Sequence, residues 1–202
     1  MFRLIKIIFN ACFLVLAIIG FNAIGGQKYV ETAKTHIVNY IQNKAEENAK
    51  KIGDFSNLHE EFQIDNTVNL LGYKAVLAEH KISGQKMCIV DSGKKPLLTQ
   101  ADIKSDNLEL KLNELAGKFK YQSISFQEIK ILSRGTVEIY GQQVPYAKFE
   151  AKSNKLPFSD LVGVVSSVTT SDGSDKLAIS VNEKKKYSQL IAEEFFKDVR
   201  EN

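Results

Sequence analysis

Three histidines, His36, His59 and His80, are the side chains here best suited to hold a metal or move a proton near neutral pH. None pairs with another at a metal-ligand spacing such as His-x-x-x-His, and no cysteine cluster accompanies them. They read as ordinary surface or core histidines. A serine nucleophile needs a base and an orienting acid beside it in space. Ser92, in Asp91-Ser92-Gly93, falls in a loop but lacks the Gly-x-Ser-x-Gly elbow, and Ser and Asp beside Gly are what turns use. The carboxylate pairs Glu46-Glu47 and Glu193-Glu194 fall on helix exteriors, where they solvate. Gly25-Gly26 sits at the end of an apolar run, and no Gly-rich loop followed by Lys-Ser or Lys-Thr leads from a strand into a helix. The sequence therefore nominates no catalytic, cofactor-binding or metal-binding residue, and it names no ligand-binding residue.

Charge and composition narrow the partners. The chain has 202 residues, 44% hydrophobic and 25% charged, the profile of one globular domain with accessories. Beyond the first 26 residues, which contain Arg3 and Lys6 and no acid, 25 basic groups face 24 acidic ones. Such a balance gives no electrostatic reason to expect nucleic acid. Lys94-Lys95 and Lys184-Lys185-Lys186 are the notable basic clusters and read as solvated surface. Cys12 lies in the apolar run, so Cys88, within Met87-Cys88-Ile89-Val90, is the other cysteine and reads as a buried, inert thiol. Twelve Phe and seven Tyr are the raw material for an apolar pocket. Phe119, Tyr121, Phe126, Tyr146, Phe149, Phe158, Phe195 and Phe196 are its candidates, although buried aromatics are more often plain core.

The elements that must position these residues begin with a membrane signal. Arg3 and Lys6 precede a run from Ile7 to Gln27 without any charge. About 20 helical residues cross a hydrocarbon core of roughly 30 Å. The basic start places the N-terminus inside and the remainder outside the cytoplasm. Residues 1–27 are thus a transmembrane signal-anchor, or a signal peptide cut near Ala23-Ile24-Gly25 that leaves a secreted or periplasmic domain. Residues 28–55 form an amphipathic helix or stalk. Val30, Ala33, Ile37, Ile41, Ala45, Ala49 and Ile52 recur on one stripe, and packing on its own domain is the plain expectation for it.

From Asn66 to Asn202 an extracytoplasmic α+β domain is expected. Gly72 to Ile82 and Gln85 to Asp91 flank the turn Ser83-Gly84 as a hairpin. Ser105 can cap a helix whose Leu108, Leu112, Leu115 and Phe119 share a face. Ser123 to Leu132, Thr136 to Tyr140, Gln143 to Ala151, Leu161 to Thr170 and Lys176 to Val181 continue as strands, with a bulge where alternation slips in the first. Pro145 implies a strand start or an edge. A helix from about Glu183 to Arg200, with Tyr187, Leu190, Ile191, Phe195 and Val199 inward, closes the chain. The fold class is α+β, a mainly antiparallel sheet of about six strands flanked by helices.

The ending Leu161-Val162-Gly163-Val164-Val165, then Asp172-Gly173, Leu177 to Val181 and a helix to Val199, resembles the PsbP-like family over about half of the chain. That resemblance implies a lumenal or periplasmic α/β/α accessory domain without enzymatic activity. The helix from Tyr29 to Gly53 departs from it, and no residue role carries over. The expected function is a non-enzymatic, membrane-tethered envelope protein that serves as a scaffold or binding module for a protein partner. The alternatives are a small-molecule or lipid binder with an apolar pocket and, third, a hydrolase without a recognisable motif.

Overall fold

Alternating patterns in outer strands and nearly unbroken apolar runs in central ones build, among the described residues, seven strands, β1 (Phe62–Leu70), β2 (Tyr73–His80), β3 (Lys86–Asp91), β4 (Phe126–Ile139), β5 (Gln142–Ser153), β6 (Asp160–Thr169) and β7 (Asp175–Glu183). Among the described residues, α1 (Gln100–Lys104), α2 (Leu108–Gly117) and α3 (Gln189–Asp198) accompany them, along with helical residues at 45 and 47–49. The fold is given by a computed structural model that describes Ala45 and residues 47–70, 73–93, 96–117, 126–153 and 160–202. The charge-free run and the stripe residues Val30, Ala33, Ile37 and Ile41 lie outside the described residues. Among the described residues, no helix is long and apolar enough to cross a membrane.

All neighbours in the sheet are antiparallel, in the order β1-β2-β3-β7-β6-β5-β4. The last strand in sequence therefore sits in the middle and joins two meanders. Central position explains composition: in β6, every residue from Leu161 to Val168 is buried, because helices cover both faces. One face carries Val76, Ala78, Met87, Ile89 and Ala178, beneath Ile52, Phe195 and Phe196. The opposite face carries Leu77, Cys88, Val90, Val165 and Leu177, beneath Leu98, Ile103 and Leu108. Burying each Val, Leu, Ile, Phe or Met side chain among them contributes about 1.5–3 kcal/mol.

Several expectations are corrected. The sheet has seven strands where about six were expected: Phe62–Leu70 adds an edge strand outside the runs read as strands, while two of those runs merge. Thr136 to Tyr140 is not separate from the preceding run; both belong to β4, which absorbs the slip through register shifts between Gln127 and Lys130 and between Ile131 and Ser133. Gly135 stays in the strand because the Tyr146 ring covers it, leaving no room for a side chain. Pro145 lies within β5, next to the edge rather than on it. Its carbonyl accepts from Ser166 Oγ at 2.8 Å, and the regular β5–β6 ladder starts one residue later, at Tyr146 and Ser166. Helix α3 starts at Gln189, after a turn at 184–186, so Tyr187 precedes the helix, and Leu190 points to solvent at 76% exposure. Helix α1 was hidden by its length of five residues; a capping box between Thr99 and Asp102 holds it.

Candidate functional site

Three places bring polar chemistry together. The first is the β2–β3 hairpin. His80, almost wholly buried, has Nε2 3.1 Å from Glu61 Oε2 and Nδ1 3.0 Å from Ser83 Oγ. The Phe62 ring meets the imidazole edge-on at 5.2 Å. Ser83 N–H also donates to Nδ1, at 3.2 Å, so Nδ1 is the acceptor and Nε2 carries the proton toward Glu61. The connectivity is that of a nucleophile, a base and an acid. Acyl transfer further needs N–H groups aimed at a developing oxyanion. Here Ser83 N–H is spent on His80 Nδ1, Gly84 N–H on the His80 carbonyl and Gln85 N–H on Ser83 Oγ. The cluster therefore clamps a turn in which Gly84 takes a φ of 69°. Buried Gln85 extends the clamp, donating from Nε2 to Ser180 Oγ at 2.9 Å and to the Ser188 carbonyl at 2.8 Å.

The second place is where the helical segment before Gly53 meets the sheet. A helix's last carbonyls lack partners and carry partial negative charge. The Ile52 carbonyl accepts from Tyr140 Oη at 3.0 Å and from Lys176 Nζ. Lys176 Nζ lies 5.1 Å from the Tyr140 ring centroid, a cation–π contact. Burial holds the Lys176 ammonium below the usual lysine range and pushes the Tyr140 phenol up. Next to it, Asp54 and Arg200 exchange main-chain hydrogen bonds of 2.8 and 3.0 Å. A Cβ on Gly53 would stand 2.8 Å from the Tyr140 ring and 2.9 Å from the Arg200 carbonyl, so only glycine allows this closeness. Ala45, Ala49 and Ile52, the end of the predicted stripe, are buried on their own domain.

The third place is the outer edge of β4. Asn113 Nδ2 donates to the Ile129 carbonyl at 2.8 Å, while Ile129 N–H donates to Asn113 Oδ1 at 2.9 Å. Ile131 N–H donates to Glu109 Oε2 at 3.1 Å. Side chains of α2 thus stand in for a neighbouring strand. A groove of about 340 Å³ opens where this cover ends, lined by Asp106, Glu109, Ile131, Leu132, Ser133 and Arg134. Arg134 braces its wall, donating to the Ile103 and Ser105 carbonyls at 3.3 and 2.8 Å.

The residues singled out by type scatter. His59 is exposed, with its N–H 3.4 Å from Asp198 Oδ2, and His36 lies outside the described residues. Ser92 Oγ donates to the Asp175 carbonyl at 3.2 Å, a loop contact without a base. Cys88 is buried. Lys184 pairs with Glu150 at 2.8 Å and Lys186 with Glu183 at 3.2 Å on the surface; Lys94 and Lys95 are outside the described residues. Among the aromatic candidates, Phe195 and Phe196 fill the core on one face together with half-buried Tyr146, while Phe149 packs on the other. Phe119, Tyr121, Phe158 and the side chain of Phe126 lie outside what the structure describes. The described aromatics therefore do not line one shared cavity. His80, read from the sequence as an ordinary surface or core histidine, is buried; its contact with Glu61, 19 residues away, left no trace along the chain, and the one local signal was Ser83 three positions on. No protein-family model matches this chain, and no curated protein matches it.

Proposed function

We propose that this chain is a membrane-tethered envelope protein whose α+β domain acts, without catalysis, as a scaffold or binding module for another protein. The observation that supports it most is the joint at Ile52. The described segment ending at Ile52 is held to the sheet by Tyr140, Lys176 and the Asp54–Arg200 bridge. A domain fastened in that way presents its edges in a defined orientation to whatever shares its surface. The polar groove beside β4 offers main-chain and carboxylate partners suited to a peptide more than to an apolar small molecule.

Two measurements on native membranes test the reading together. Carbonate washing should leave the protein in the pellet, and a protease added to intact spheroplasts should digest the domain. Release by carbonate in a form beginning near Gly26 would remove the tether. Protection until lysis would reverse the orientation.

A further inference from the structure

We infer that the exposed half of β4 pairs with β4 of a second copy of this chain, joining two seven-stranded sheets edge to edge. The inference deepens the scaffold reading and rests on it for the partner's being held at the same membrane. Strand β4 is an edge strand, and edges present unpaired N–H and C=O groups that natural proteins cover, bulge or charge. Its first half is guarded in two of these ways. Asn113 and Glu109 occupy the outward groups of Ile129 and Ile131, and two register shifts distort the strand. From Ser133 to Ile139 the register against β5 is regular.

Two observations fix which groups of that half face outward. Ile131 N–H points away from β5, toward Glu109, and antiparallel ladders alternate every second residue. Stepping across the extra residue at Leu132 puts Arg134, Thr136 and Glu138 in the outward set. Independently, Thr136 stands opposite Pro145, which has no N–H to donate, and the Pro145 carbonyl accepts from Ser166 of β6. That pair is therefore not hydrogen-bonded across β4–β5, so the Thr136 N–H and C=O point outward too. Among the described residues, nothing bonds to these outward groups.

The open stretch is self-complementary. Its centre is Thr136, three residues from Ser133 and three from Ile139. A two-fold axis through Thr136 sets Thr136 against its own copy and sets Arg134 against Glu138 of the second copy, twice. Those pairs carry opposite charge on one face of the combined sheet, where cross-strand ion pairs favour a register. The same register brings the Tyr140-Gly141 turn of the second copy to Leu132 and Ile131, where the α2 cover begins and the groove opens. The geometry matches a symmetric, closed contact rather than an open fibre. Tethering in one membrane raises the effective concentration of the two copies, which suits a short pairing from Ser133 to Ile139 on each side.

The test uses the full chain in its membrane with Cys12→Ser, so that oxidation reads introduced cysteines. Thr136→Cys, at the axis, should give a disulfide-linked species of doubled mass, while Thr67→Cys on the opposite edge strand should not. Glu138→Arg in the Thr136→Cys chain should lower the yield about fivefold by facing Arg against Arg. Adding Arg134→Glu should restore it, and that rescue separates pairing from mere misfolding. No doubled species from Thr136→Cys, equal yields from both edges, or a crosslink to a different protein would overturn the self-pairing. If the protein stays carbonate-resistant and protease-accessible in that event, the tethered-scaffold reading survives. If it does not, that reading fails on its own measurement.

Discussion

At Asp172 a single carboxylate oxygen accepts Thr170 Oγ1 at 2.7 Å, Ser174 N–H at 2.9 Å and Ser174 Oγ at 2.8 Å. The Ser174 N–H, first, and the two hydroxyls favour the charged form and pull the carboxyl down to about 2 from an ordinary 3.8. A depressed folded pKa contributes stability above the unfolded value that is lost as pH falls through the folded one. Asp172→Asn should therefore lower the melting temperature at pH 6 by a small amount, since the turn is exposed. The gap to the unchanged protein should close between about pH 4 and 2, as read by thermal scans at stepped pH. A gap constant down to pH 2 would mean that the turn gains nothing from the charge. His80 teaches the complementary point: acyl transfer needs donors for an oxyanion besides a serine, a base and an acid, and the N–H groups of Ser83, Gly84 and Gln85 are already used within the turn.

Helix α3 carries the main apolar weight on one face of the sheet. Phe195 is fully buried, with Phe62 at 5.5 Å and Phe196 at 5.8 Å in edge-on contact. Phe195→Ala should cost about 3–5 kcal/mol in urea unfolding, as a buried ring lost to a cavity. An unchanged midpoint would show that α3 is not a structural cover. The helix is shorter than its periodicity suggested, because Asn182 holds Lys186 O and Ser83 O, and Gln85 holds Ser188, in a non-helical lead-in. Hydrophobic spacing over Tyr187 to Val199 signalled the helix, but those long-range contacts decided where it starts.

At the scale of the molecule, β7 is the keystone. It bonds β3 on one side and β6 on the other, joining a meander of β1–β3 to one of β4–β6. A chain ending after Thr169 would lose both ladders together with α3. We expect it to unfold without a cooperative transition in urea, where the full domain shows one. A single sharp transition in the truncated chain would mean that the β4–β6 meander and its helices stand alone. The proposed pairing of two copies belongs to this scale too, since it depends on which edge the completed sheet leaves open.

The sequence by itself determined most of the local structure. Alternation in β2 and β5 and short, nearly unbroken apolar runs in β3, β6 and β7 marked those strands closely, and Gly84, with positive φ, marked its turn. These signals are local, since a strand's faces and a turn's backbone angles depend on adjacent residues. What the tertiary structure decided was the strand order, the extra edge strand β1, the continuity of β4 and the bracing of Ile52 by residues 88 and 124 positions away. Those features rest on contacts between distant segments. A pattern read along one segment carries no information about which other segment will lie beside it.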